Sequence, residues 1–240
     1  MSARPAGKTA EKIRWRGGQV TRIEALTDAV FGFAITLLVV SLEVPTTFDG
    51  LLEMMRGFVA FGASFALLIL VWVYHYHLFS RYDLEDGYTI FLNSVLLFVV
   101  LFYIYPLKFV FASWMNSGMQ GVFSSHEQIR TMMSIYGGGF TAVFLVFALL
   151  YLHAYRLQER LGLSRAEVLQ ALSHVGGCLV MVATGMISIA VAQLAPLNYA
   201  APLSGFVYFI IGPLQYLNGS YFGRRIEALD AEPASLSIAT

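Results

Sequence analysis

Long apolar stretches alternate with short polar breaks along the whole chain. Six such stretches fall at about 24–43, 56–79, 88–110, 131–155, 168–194 and 203–222. A bilayer core takes roughly 20 apolar residues per helical span, with about 17 to 25 tolerated, so each stretch predicts one membrane-crossing helix. The pattern therefore predicts an all-α membrane protein with six transmembrane helices per subunit. Around that body, residues 1–23 form a basic leader and residues 223–240, rich in small and polar side chains, predict a flexible tail. The first apolar run is too long for a cleavable signal and lacks a small-residue cleavage site, so it reads as a retained span.

Composition agrees with this reading. Hydrophobic residues make up 58% of the chain and charged residues only 12%, far from the usual balance of a water-soluble domain. Lys+Arg and Asp+Glu stand at 15 each, so no bulk charge points to nucleic acid. The distribution is more telling. Twelve of the basic residues lie in the leader and in alternate breaks (Arg81; Arg156, Arg160 and Arg165; Arg224 and Arg225), against Arg56, Lys108 and Arg130 in the others. Basic loops stay in the cytoplasm, which predicts that both termini are cytoplasmic and that the number of spans is even.

No long linker or soluble domain remains once the spans are placed, so the membrane part must carry the function. The chain holds no phosphate-binding loop, no dinucleotide fingerprint, no H-E-x-x-H and no C-x-x-C. The stretch "SIYGGGF" (134–140) superficially resembles a carbonyl-lined potassium filter. It heads an ordinary span with no re-entrant helix before it, and reads as a glycine-rich packing surface. Cys178 is the single cysteine and sits in an apolar segment, which suits a small buried hydrophobe. His75 and His77 diverge by about 200° on a helix, a poor spacing for a shared metal, so no metal site is expected.

The opening span, "RIEALTDAVFGFAITLLVV" (22–40), places charge at its mouth and grease beyond it. At about 100° per residue, Leu37, Val40 and Thr36 fall near +40°, −20° and −60° from Phe33, so the four share one stripe. Asp28 lies about 140° from Phe33, toward neighbouring helices. A carboxylate at that depth is costly without a partner in the bundle. Partners are available on the next two spans, where "LVWVYHYHLF" puts Trp72, His75 and Phe79 on one face and "FLNSVLL" carries Asn93.

These residues resemble a known family. Arg22, Leu26, Thr27 and Asp28 closely match the R-x-x-x-F-S-D motif that opens the first helix of the transmembrane protein 175 family of potassium channels, in its short prokaryotic form. Trp72, His75, Phe79, Asn93 and Pro106 fall where similar residues occur in that family's second and third helices, so the resemblance spans roughly residues 20–110. It implies a homo-oligomer, a tetramer of six-span subunits, whose first helices line a central pore without a carbonyl filter. Potassium is then the permeant ion and no cofactor is required. Apolar rings would constrict the pore at Phe33, Leu37 and Val40, with Thr36 supplying a hydroxyl. Arg22, Thr27, Asp28, Trp72, His75 and Asn93 would form a structural polar network that holds the pore helix. The chain departs from the family pattern at Phe33, commonly aliphatic, and at Tyr76, commonly a second histidine. The expected setting is the lipid bilayer, the inner membrane in a bacterial host.

Without the resemblance, the same apolar stripe would read as core packing. A second function class also stands open: a proton-coupled or small-solute carrier in which His75, Asp28 and Glu43 serve as a relay. A membrane enzyme built on His75 and His77 would lack a convincing nucleophile or metal set.

Overall fold

The residues at the polar breaks explain where each helix starts and stops. The computed structural model describes residues 20–40, 46–117, 123–196 and 199–236. Helix α1 (Arg22–Val40) opens on a reciprocal pair, in which the Glu24 N–H donates to Thr21 Oγ1 (3.2 Å) and the Thr21 N–H to Glu24 Oε2 (2.9 Å). Helix α2 (Phe48–Tyr82) begins where the Thr47 hydroxyl accepts from the Gly50 N–H and ends at Asp83, whose φ of 46° is left-handed. Aspartate tolerates that conformation better than most side chains.

Asp86 caps the next helix, α3 (Gly87–Ser117), by accepting from the N–H groups of Tyr88 and Thr89 and from the Thr89 hydroxyl. Its carboxylate also meets His153 Nε2 at 2.9 Å, near the end of α4 (His126–Arg156). Helix α5 (Arg165–Leu194) opens on a full capping box between Ser164 and Glu167. Beyond it, α6 (Ala200–Phe206), a 3₁₀ turn (Val207–Ile210) and α7 (Ile211–Leu236) follow one another without a polar break.

Five segments among the described residues are long and apolar enough to cross a membrane: Phe61–Tyr82, Gly87–Val110, Glu127–Arg156, Arg165–Leu194 and Ala200–Leu229. They overlap the last five stretches expected from the sequence, and the protein is an all-helical, multi-pass membrane protein. Helix α1, which carries Arg22, Glu24 and Asp28 in its first two turns, is not among the five. Residues 41–43, the expected end of that first span, lie outside the described residues, as do residues 1–19 of the leader and 237–240 of the tail. Four boundaries differ from expectation by five residues or more. Helix α2 starts at Phe48 rather than near 56, α3 runs to Ser117 rather than 110, α4 starts at His126 rather than 131, and the last helix continues past 222 to Leu236.

In lipid, helices associate through close backbone approach and buried polar bonds, since tails are as apolar as leucine. The glycine run serves this purpose. Gly137 faces α5, where an added Cβ would stand 2.8 Å from Ile189, and Gly139 faces α3, where it would collide with the Tyr103 ring. Helix α7 is held to α5 by polar bonds, from Gln215 Nε2 to the Gly177 carbonyl and from Asn218 Nδ2 to the Ser173 carbonyl, both 2.9 Å. Phe144, Phe147 and Tyr151 of α4 fill the centre, and the Cys178 thiol is fully buried beside them, a packing element.

Candidate functional site

Helix α1 has two unlike faces. Thr27, Phe31, Ala34 and Leu38 recur at helical spacing and are buried against α2 and α3. The opposite face has no partner among the described residues: Leu26 is 57% exposed and Phe33 58%, with Ala25, Ala29, Gly32, Thr36 and Val39 alongside them. Gly32 meets nothing that a Cβ would touch, which marks open space there. Leu37 is half-buried at the edge of this free face, and the Val40 side chain lies outside the described residues. The Thr36 hydroxyl donates to the Phe33 carbonyl at 2.7 Å, so its proton is used on its own helix and only its lone pairs are left for another group.

The buried face is fastened by a chain of side-chain hydrogen bonds. Asn93 Nδ2 on α3 donates to Thr27 Oγ1 on α1 at 2.9 Å, which leaves the Asn93 Oδ1 facing His75 Nε2 on α2 at 3.0 Å. With the amide oriented this way, His75 donates from Nε2. Thr27, His75 and Asn93 are all at most 2% exposed, so each bond forms away from water, where leaving it unmade is costly. The imidazole is stacked on Phe79 (centroids 4.3 Å apart), which fixes its plane. One residue along from Thr27, Asp28 Oδ1 accepts from Trp72 Nε1 at 2.8 Å. The indole is itself stacked on Tyr76, 5.7 Å away and 22° from parallel.

The structure thus brings together Thr27, Asp28, Trp72, His75 and Asn93, five of the six residues expected in the polar network. Arg22 is exposed and makes no side-chain hydrogen bond to them among the described residues. Asp28 is also an exposed residue in the single chain, at the margin of the free face rather than deep between helices. Sequence reasoning did not single out Leu26, Ala29, Gly32 and Val39 as part of the free face. The seven-residue spacing of Leu26, Phe33 and Val40 was the available signal.

No group of three metal-ligating side chains gathers among the described residues. Glu43, a member of the alternative relay, lies outside them.

Residues 22–106, the stretch that builds this lock, match the family model described as "Endosomal/lysosomal potassium channel TMEM175". A protein of Marivirga tractuosa named "Potassium channel" is 38% identical over 228 residues, covering 90% of this chain and 92% of its own. The chain belongs to the TMEM175 family. A Chamaesiphon minutus potassium channel is 33% identical over 141 residues, or 55% of this chain and 64% of the relative. Among solved structures, the potassium channel MtTMEM175, crystallised as a variant with a nanobody fusion, superposes with a TM-score of 0.76 at 36% identity and covers 89% of this chain and 98% of that one. A lysosomal potassium-selective channel TMEM175 homolog from Chamaesiphon minutus gives a TM-score of 0.50 at 29% identity, over 85% of this chain and 96% of that one. These relatives are ion channels by name, and this TMEM175 protein belongs with them rather than with membrane enzymes. The family resemblance read from the sequence is borne out.

Proposed function

We propose that this TMEM175 protein is a potassium-permeable channel in which copies of the chain, four in number, surround a pore lined by α1. The observation that carries the reading is the asymmetry of α1: one face is locked to α2 and α3 by buried hydrogen bonds, and the other is largely apolar and uncovered by any described residue. A lock of this kind serves a helix whose rotation must be held while its far side meets something outside the subunit. The names of the relatives supply the ion.

In this arrangement Phe33, Leu37 and Val40 form successive apolar rings, Leu37 about 6 Å and Val40 about 10.5 Å beyond Phe33 along the helix. Such rings gate by dewetting and open with modest helix movement, with no carbonyl filter needed. Thr36 presents hydroxyl lone pairs between the first two levels. Helix α1 completes a six-span subunit with both termini cytoplasmic, in the inner membrane of a bacterium. Labelling of Pro5→Cys or Ser235→Cys from outside intact cells would overturn that topology.

Recording from purified protein in a planar bilayer tests the function. Discrete unitary currents carried by potassium are expected. Transport without unitary events would instead favour the proton-coupled or small-solute carrier.

A further inference from the structure

Helix α2 is longer than the membrane needs. Its 35 residues extend about 52 Å at about 1.5 Å per residue, whereas a bilayer core is about 30 Å thick. The part long and apolar enough to cross is Phe61–Tyr82, so residues 48–60, about 20 Å of helix, stand beyond it. In the proposed topology they project on the outer side.

This projecting part carries an apolar seam. Phe48, Leu52, Met55 and Val59 are exposed, from 43% at Leu52 to 72% at Phe48, and the exposed Gly62 and Ala66 continue the series into the crossing part. The steps between these residues run 4, 3, 4, 3 and 4. At about 100° per residue that keeps all of them within an arc of about 80°. Ser64, Leu68 and Val71, on the other side of the helix, are buried. Nothing among the described residues stands where a Gly62 side chain would be.

Alternating steps of three and four are the spacing with which one helix seats another, and a pair of small residues four apart, as Gly62 and Ala66 are, lets two backbones approach closely within a membrane. Lipid accounts for apolar side chains exposed along a crossing segment. It does not cover Phe48, Leu52, Met55 and Val59 on a helix that has left the bilayer, where contiguous apolar surface marks a contact with protein. The seam also continues the uncovered side of α1. The hydrogen bond from Trp72 to Asp28 and the ring contact of Phe31 with His75, 6.5 Å between centroids, set α1 beside α2. Copies gathered around α1 therefore bring the α2 helices to the flanks of their neighbours.

We propose that the α2 seam from Phe48 to Ala66 receives a helix of a neighbouring copy of this chain, a second contact besides the one around α1. The proposal rests on the reading of the protein as an assembly of copies and adds where each copy grips the next.

Photocrosslinking in the membrane tests it. The photoreactive residue p-benzoylphenylalanine is placed singly at Val59, on the seam, at Phe33, on the free face of α1, and at Phe98, exposed on α3 away from both. Val59 is expected to give an adduct of two-chain mass that contains this chain alone by mass spectrometry. Adding Gly62→Leu, which meets open space within one chain, should lower the yield of that adduct several-fold, whereas Gly219→Leu, on equally open ground in α7, should leave it unchanged. An adduct at Phe33 with none at Val59 overturns the seam and leaves the assembly around α1 standing; no adduct at either position overturns both. Equal yield at Phe98, an adduct of Val59 with a different protein, or a yield at Val59 indifferent to Gly62→Leu also overturns the proposal.

Discussion

Replacing Asn93 by leucine removes the centre of the lock while keeping the same branched heavy-atom outline. The amide joins α1 to α2, through bonds of 2.9 Å to Thr27 and 3.0 Å to His75, and all three residues are buried. Side-chain hydrogen bonds between membrane helices average about 0.6 kcal/mol and reach about 1.7, so two of them contribute roughly 1–3 kcal/mol. For a protein of this size that corresponds to a fall in thermal midpoint of roughly 3–10 °C. The neighbouring residue supplies the control. Ser94 is exposed and donates only to the Ile90 carbonyl of its own helix, at 2.8 Å, so Ser94→Ala stays within about 0.5 kcal/mol of wild type. Melting of the purified protein, followed by fluorescence-detected size exclusion, reads both. Combining Asn93→Leu with Thr27→Val should cost less than the two singles together, since both remove the same bond. If Asn93→Leu melts with Ser94→Ala and wild type, the hydrogen-bond chain does not hold α1, and the proposed division of that helix into a locked and a free face fails.

Phe33 is more than half exposed on the free face, so Phe33→Ala and Phe33→Asn should enlarge potassium currents and weaken discrimination against sodium while leaving assembly intact; unchanged or smaller currents in both would move the gate to Leu37. Gly139→Ala drives a methyl into the Tyr103 ring and should cost about 1–3 kcal/mol by overpacking, seen as a lower thermal midpoint, whereas Gly138→Ala, which meets nothing, should be near neutral. At Asp86, burial pushes the carboxyl up, but hydrogen bonds from His153 and Thr89 outweigh it and bring the group down from 3.8 to about 2. The folded state therefore binds this proton later than the unfolded state: the stabilisation is complete above about pH 4 and is lost as pH falls toward 2. Asp86→Asn should remove that acid-dependent part of the melting profile, and an unaltered profile would show that other carboxylates set it.

Much of this protein was legible in the sequence because hydropathy alone decides which segments leave water. Five of the six expected spans match helices of sufficient length, and the capping residues at the breaks, such as Ser164 with Glu167, mark their ends. The residue types of the lock were legible too, since a carboxylate, an imidazole and an amide within apolar runs must each find a polar partner in the bundle. What the sequence could not supply was the pairing. Spacing on one helix cannot say that Asn93 turns its amide nitrogen to Thr27 and its oxygen to His75, or that Trp72 reaches Asp28 while Arg22 reaches none of them. Those choices depend on how α1, α2 and α3 cross, which is fixed by packing between residues far apart in the chain. The glycine run shows the same division. Its small size was enough to predict close packing, but only the tertiary arrangement sends Gly137 to α5 and Gly139 to α3, because the direction of each Cα–H bond acquires meaning only once neighbouring helices stand against it.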